Sequence, residues 1–338
     1  MSTPDRSGSR AQSERPQLTG APARGVLPDF FIAGNAKSGT TAMYSMLRRH
    51  PQIFMPDAKE PWFFAEELHE RTPPRPEGTP KTLAQYSAWF ARAAPGQRVG
   101  EATPLYLWSQ TAAAAIAEVR PDARIIAILR EPASFLRSLH MQFVQTYVET
   151  ENDFAKALAL EPLRRAGREI PQYTYWPQAL LYSEHVRYVE QLRRYLAVFP
   201  REQLLVLTYD DFLADNEATV RQVLRFLEVD DSVAVDSLQA NPTVYVRSAR
   251  VHELLHAVSV GRGPLSLAVK SAIKSVVPQH LRRGAVGAIR SRLLYSEPPP
   301  ADELLMAELR RRFRPEVVAL GDFLERDVVR LWGYDSIA

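Results

Sequence analysis

The sequence predicts an α/β fold of three layers, with a central parallel sheet and helices on both of its faces. Three features carry that prediction: continuous apolar runs at residues 30–33, 124–129 and 204–208, helix-periodic segments between them, and a glycine-rich turn directly after the first run. The runs lack the alternation of a half-exposed strand, so both faces of the sheet need cover.

Residues 30–33, FFIA, follow Pro28 and Asp29 and pass into the turn GNAKSGTT, after which TTAMYSMLRRH has the apolar spacing of a helix stopped by Pro51. The segment KEPWFF and the proline-rich RTPPRPEGTP read as irregular, ahead of a helix near 83–93. Further helices are expected over 110–119, 133–149, 178–197 and 215–228, interleaved with the strands RIIAIL and LLVLT. Residues 1–25, rich in Ser, Pro, Gly and Arg, read as a disordered arm, and 26–338 as one domain. Within that domain, 262–295 sets Lys270, Lys274, Arg282, Arg283, Arg290 and Arg292 among aliphatic residues, with a break at Pro278. This basic amphipathic pattern fits a packed helix pair, a helical lid or insertion over an acceptor pocket, or peripheral contact with an anionic membrane surface. The closing stretch ELRRRFRPEVVALGDFLERDVVRLW returns to helical spacing and is expected to pack on the main domain.

Composition narrows the chemistry. With 46% hydrophobic residues in 338, the chain can build one substantial core. A formal charge of +3, from 42 Lys and Arg against 39 Asp and Glu, is too mild to imply nucleic acid and suits a small anionic ligand. The absence of cysteine excludes disulfides, thiolate metal sites and cysteine nucleophiles. The first residues contain no apolar core of a secretory leader, and no run approaches a membrane span, so the expected location is cytoplasmic.

The loop Gly34-Asn35-Ala36-Lys37-Ser38-Gly39-Thr40-Thr41 has the glycine spacing of a P-loop, and its backbone N–H groups ahead of a helix are suited to phosphate oxygens. Its lysine is displaced, however. A nucleotide triphosphatase places Lys directly after the second Gly and then Ser or Thr for Mg²⁺; here Lys37 precedes Ser38-Gly39, and Thr40 stands in the lysine position. That order favours a 5'-phosphosulfate over a metal-bridged β,γ-phosphate.

With AKSGTT as its 5' loop, and Arg130-Glu131-Pro132 followed by Ser138 directly after RIIAIL, the sequence resembles the family of sulfotransferases that use 3'-phosphoadenosine 5'-phosphosulfate (PAPS), in its bacterial branch related to the glycosaminoglycan or Golgi-type enzymes. The resemblance runs from about residue 29 to about 227, continues more weakly to the C terminus, and implies a P-loop-type fold. It implies that Lys37, Ser38, Gly39, Thr40 and Thr41 hold the 5'-phosphosulfate, and that Arg130 and Ser138 bind the 3'-phosphate, a charged fork and a short hydroxyl bond respectively. Lys59-Glu60-Pro61-Trp62-Phe63-Phe64 looks like the family's KE-x-x-FF segment, which makes Glu60 the general base. A carboxylate among aromatic residues is less hydrated and more basic than in water, which suits that role. Gly100-Glu101-Ala102-Thr103-Pro104 resembles the substrate-side segment but has Ala102 where the glycosaminoglycan enzymes have lysine, which speaks against a polyanionic acceptor. By resemblance Tyr182 edges the adenine, Arg247 is a second 3'-phosphate ligand with Arg250 as its alternative, and the turn Tyr209-Asp210-Asp211-Phe212 is architectural.

His140, shortly after Ser138, is the rival base to Glu60. No H-E-x-x-H or compact ligand set is present, so no metal is expected. The implied reaction converts PAPS and an acceptor to a sulfated acceptor and adenosine 3',5'-bisphosphate. The partner is a small-molecule, glycolipid or carbohydrate acceptor carrying a hydroxyl or amine, and nucleic acid is not one. Rival readings are a P-loop nucleotide kinase and a catalytically weak carbohydrate- or lipid-binding module on the same fold.

Overall fold

The computed structural model describes residues 25–68, 78–172, 174, 176–234 and 298–337, together with the backbone of 245–246 and 295–296. The expected disordered arm, Arg247 and Arg250, and nearly all of the basic 262–295 segment lie outside the described residues.

Five strands form the main sheet: β1 (Phe30–Ile32), β2 (Ile53–Phe54), β3 (Arg98–Ala102), β4 (Arg124–Leu129) and β5 (Leu204–Thr208). Their order is β2-β3-β1-β4-β5, and every neighbouring pair is parallel. The expected α/β architecture is therefore present. Successive residues of one strand bury on opposite faces. Phe31, Ala33, Ile125, Ala127 and Leu129 pack in one core layer, beneath α3 (Ala112–Val119), α4 (Pro132–Gln145) and α7 (Tyr188–Leu196). Phe30, Ile32, Ile126, Ile128 and Leu207 pack in the other, beneath α1 (Thr40–Leu47) and α9 (Asn216–Phe226). Two-sided cover explains why the strands are uniformly apolar rather than alternating.

The helices depart from their expected bounds where side chains intervene. The helix expected over 133–149 stops at Gln145, because Tyr147 takes a left-handed φ of 62° and the Glu149 N–H turns back to the Phe143 carbonyl at 3.1 Å. The one expected over 178–197 is instead two 3₁₀ turns, Pro177–Leu180 and Tyr182–Val186, followed by α7. Buried side chains occupy the carbonyls at that break: His185 Nε2 lies 2.9 Å from the Ala179 oxygen, and the Gln191 amide donates to the carbonyls of Glu184 and His185. The long helix Glu303–Leu324 packs on α4 and α7, as its periodicity led one to expect. Tyr245–Val246 pairs antiparallel with Tyr295–Ser296, so the chain that leaves at Val246 returns beside itself at Tyr295.

Candidate active site

In a parallel sheet the ligand crevice lies beyond the carboxyl ends of the strands, where the strand order reverses. A cavity of about 670 Å³ occupies that place, and the segment after each of the five strands reaches it: Lys37 after β1, Glu60 after β2, Leu105 after β3, Arg130 after β4 and Tyr209 after β5.

The loop after β1 is shaped by two glycines. A Cβ at Gly34 would lie 1.9 Å from the Ile128 backbone nitrogen, so only glycine lets the loop leave against β4. Gly39 has φ 81° and stands at the N-cap of α1, packed on Phe212. No side chain among the described residues caps α1, whereas Glu131, Asp153 and Asp215 cap the helices that follow them. The first N–H groups of α1 are thus left as donors beside Gly39, Thr40 and Thr41, which line the cavity.

Lys37, also left-handed at φ 62°, lines the same cavity, and its carbonyl accepts a 2.8 Å hydrogen bond from the Arg130 guanidinium. That guanidinium lies over the Tyr209 ring, 4.8 Å from its centroid, and the Arg130 carbonyl accepts from the Tyr188 hydroxyl at 2.8 Å. Burial lowers the pKa of both cations, and the charge of Arg130 lowers Lys37 further. Two partly desolvated positive charges held against each other favour an anion between them. Tyr209, in the turn expected to be architectural, also lines the cavity.

Glu60 faces the cavity from the KEPWFF segment, where it and Trp62 both take left-handed φ values, 58° and 52°. Its N–H donates to the Ala102 carbonyl at 3.1 Å, which fixes it beside β3. Surrounding protein raises its pKa, opposed by Lys59, whose Nζ is 4.0 Å from Oε1, and by a hydrogen bond from the Trp62 side chain. Its side chain is nonetheless 38% exposed, on the cavity side, so it is enclosed yet reachable. Lys59 also donates to the Thr41 hydroxyl at 3.0 Å and lies over the Tyr44 ring, tying Glu60 to the loop after β1.

Beneath this segment Glu101 is fully buried on β3. It accepts from the hydroxyls of Tyr86 (2.5 Å), Thr103 and Tyr106 (3.2 Å). The Tyr106 oxygen in turn accepts the Phe64 N–H at 3.3 Å, so the cluster pins the end of KEPWFF. Burial raises the Glu101 pKa to about 7; the three hydroxyl bonds oppose that rise, and the Glu60 charge adds to it.

The remaining expected residues divide by helix face. Ser138 is buried on α4, one turn before Gln142 and two before Gln145, both of which line the cavity. His140 sits on another face of α4. It lines a separate cavity with Arg137 and Phe154, its Nε2 lies 2.8 Å from the Glu151 oxygen, and burial lowers its pKa. Tyr182 is fully buried, and its hydroxyl donates to Glu149 at 3.1 Å, a carboxylate gripped by Arg164 at 2.6 and 2.8 Å. Of the expected residues, Ser38, Ser138, His140 and Tyr182 do not line the cavity; the two serines are buried beside its walls. The structure does bring Trp176 there, in an irregular segment that offered no periodic signal; Gln142 and Gln145 were detectable as the helical row of Ser138.

The pattern described as Sulfotransferase family matches residues 28–232. The chain belongs to the sulfotransferase family. It is 28% identical over 204 residues to heparan sulfate glucosamine 3-O-sulfotransferase 3B1 of Mus musculus, covering 60% of this chain and 46% of that protein. It is 27% identical over 219 residues to heparan sulfate glucosamine 3-O-sulfotransferase 6 of Homo sapiens, covering 62% and 55%. The chain thus spans about half the length of the curated relatives it matches. A solved sulfotransferase from Alicyclobacillus acidocaldarius superposes with a TM-score of 0.62 at 26% identity, covering 91% of this chain and 99% of that one. The family match contains Lys37, Glu60, Arg130 and Tyr209, and the sulfotransferase fold is what brings them together.

Proposed function

We propose that this chain transfers the sulfuryl group of PAPS to a hydroxyl or amine of a small-molecule, glycolipid or carbohydrate acceptor, without a catalytic metal, in the cytoplasm. The observation that supports the reading is the meeting of Lys37, Arg130, the uncapped start of α1 and Glu60 in one cavity. These groups fit the cofactor: two cations and a row of backbone donors suit its phosphate groups, and about 670 Å³ is of ligand size.

When bound, PAPS supplies an electrophilic sulfur and a bisphosphate leaving group. Lys37 and the N–H groups of α1 hold the negative charge on the 5' side, where charge grows as the S–O bond to the phosphate breaks. Arg130 holds the 3'-phosphate, assisted by Ser138. Glu60 accepts the proton that the acceptor oxygen or nitrogen releases as its bond to sulfur forms. The left-handed backbone at Glu60 and its bond to Ala102 keep that carboxylate aimed into the cavity before any acceptor arrives.

Calorimetry with adenosine 3',5'-bisphosphate tests the assignment. Truncating a buried charged partner costs about 2 to 4 kcal/mol, so Arg130→Ala weakens binding roughly 30- to 1,000-fold on this reading. Undiminished affinity in the folded variant removes Arg130 from the phosphate site, and a wild-type protein that prefers ATP returns the kinase reading.

A further inference from the structure

A second cavity of about 550 Å³ adjoins the first, and Trp176 lines both. Its indole lies 6.1 Å from that of Trp62, beside Glu60 in the first cavity, and 6.3 Å from that of Trp108, which lines the second. Three tryptophans therefore connect the catalytic carboxylate to a neighbouring groove. One face of Trp108 stacks on His185 at 5.1 Å, and the half-buried ring turns its remaining surface to the groove.

The polar groups of this groove have a definite character. Arg187 is held by Glu184 (3.1 Å) and Glu190 (2.6 Å), and Arg194 by Glu190 (3.4 Å) and the Ser109 carbonyl (2.6 Å). Glu67 adds a third carboxylate and Glu184 is also held by Arg165 at 2.8 Å, so the charges balance, and both guanidiniums that line the groove are already paired. Gln110 and Gln178 are exposed at the rim. Gln191, 1% exposed in the wall, spends both amide hydrogens on the carbonyls of Glu184 (3.1 Å) and His185 (3.2 Å), which fixes which end is oxygen. Its Oε1 has no hydrogen-bond donor among the described residues. That oxygen is closed to solvent, so the amides open to a ligand are those of Gln110 and Gln178.

We propose that this groove is a second acceptor subsite, which binds an uncharged glycosyl ring one unit removed from the ring sulfated at Glu60. The inference rests on the sulfuryl-transfer reading above. Aromatic faces cover the apolar faces of a sugar ring, carboxylates and amides exchange hydrogen bonds with its hydroxyls, and guanidiniums already paired within the protein leave little to attract a sulfated or carboxylated chain. A neutral ring can come from a free glycan or from a glycolipid headgroup, and both carry the same chemistry.

The test uses the whole chain saturated with adenosine 3',5'-bisphosphate, titrated calorimetrically with maltotetraose, cellotetraose, dodecyl maltoside micelles and a heparin tetrasaccharide. At least one neutral probe binds, and heparin binds about tenfold more weakly or not at all. Trp108→Phe and the exposed Gln178→Ala weaken the neutral probe about tenfold or more while bisphosphate binding stays at the wild-type level. A glycolipid source gives tighter binding of the micelle arm than of the free sugars; a glycan source gives the reverse. Tighter binding of heparin, indifference of the neutral probe to both substitutions, or no binding by any neutral probe overturns the subsite. Failure of the bisphosphate itself to bind the wild type points instead to failure of the underlying reading.

Discussion

Glu60 and Glu101 lie in adjacent segments, and burial affects them in different ways. Glu60 is raised by its surroundings but open to the cavity, so its ionised form, the proposed base, is depleted as pH falls from above the ordinary carboxylate range. Turnover should therefore decline on acidification, and Glu60→Gln should cost about 10²-fold or more in sulfuryl transfer and abolish that acid limb, with bisphosphate affinity within about threefold of wild type. Following labelled sulfate into product in E60Q and H140A side by side decides it; collapse in H140A with near-normal E60Q would transfer the role to His140. Glu101 makes a stability prediction. Its folded pKa of about 7 lies above the ordinary 4.5, so the folded chain holds that proton more tightly and loses stability as pH rises from 4.5 to about 7, with no further change beyond. Glu101→Gln removes this contribution, and urea unfolding should show the variant gaining about 2 to 3 kcal/mol relative to wild type between pH 4.5 and 7.5. A constant difference between the two proteins across that range would mean that Glu101 is ionised in the fold. Lys37, Arg130 and Glu60 were legible as candidates that one cavity gathers, because each follows a strand or sits in a recognisable segment. The three hydroxyls around Glu101 were not, because Tyr86 is brought to it by tertiary packing from a helix 15 residues away in sequence.

At the scale of elements, the strands that could be read were those whose burial left a nearly unbroken apolar record, 30–33, 124–129 and 204–208. β3 went unread: RVGEA spends one of its five positions on a buried carboxylate and one on a glycine pressed against Phe30, so its sequence carries little strand signature. Helix α4 shows the complementary error. Its existence was plain, but which face meets the cavity depends on rotation about its axis, about 100° per residue: Leu139, Gln142 and Phe143 line it, Ser138 is buried beside them, and His140 lines a separate cavity. The uncapped start of α1 makes its own prediction. Gly39→Ala forces a side chain into a left-handed residue and puts Cβ 2.8 Å from Phe212, so it should cost about 1 to 3 kcal/mol in stability and weaken bisphosphate binding by disturbing the N–H row. Thermal unfolding and calorimetry on the variant measure the two effects, and unchanged bisphosphate affinity would exclude the N–H row from phosphate binding.

Across the whole molecule, the last described segment reaches back to the site. Arg326 grips Asp211 with two 2.7 Å bonds, Trp332 donates to Asp210 at 2.8 Å, and the Tyr334 hydroxyl donates to Glu131 at 2.6 Å. Asp210 and Glu131 flank Tyr209 and Arg130 in sequence, so these bonds brace the two residues that stack on each other in the cavity wall. The double variant Trp332→Phe, Tyr334→Phe should lose about 1 to 3 kcal/mol of stability and bind adenosine 3',5'-bisphosphate about three- to tenfold more weakly, although neither residue lines the cavity. Wild-type affinity in that variant would reduce the brace to ordinary packing. The brace also lies beyond the stretch matched by the family pattern, which ends at residue 232. During synthesis every strand of the main sheet has been made by residue 208, yet Tyr334 follows more than a hundred residues later. At roughly 5 to 20 residues per second, a nascent chain carries a sheet with Arg130 unbraced for several seconds or longer, a window in which a chaperone or a protease meets a different surface from the one the finished protein presents.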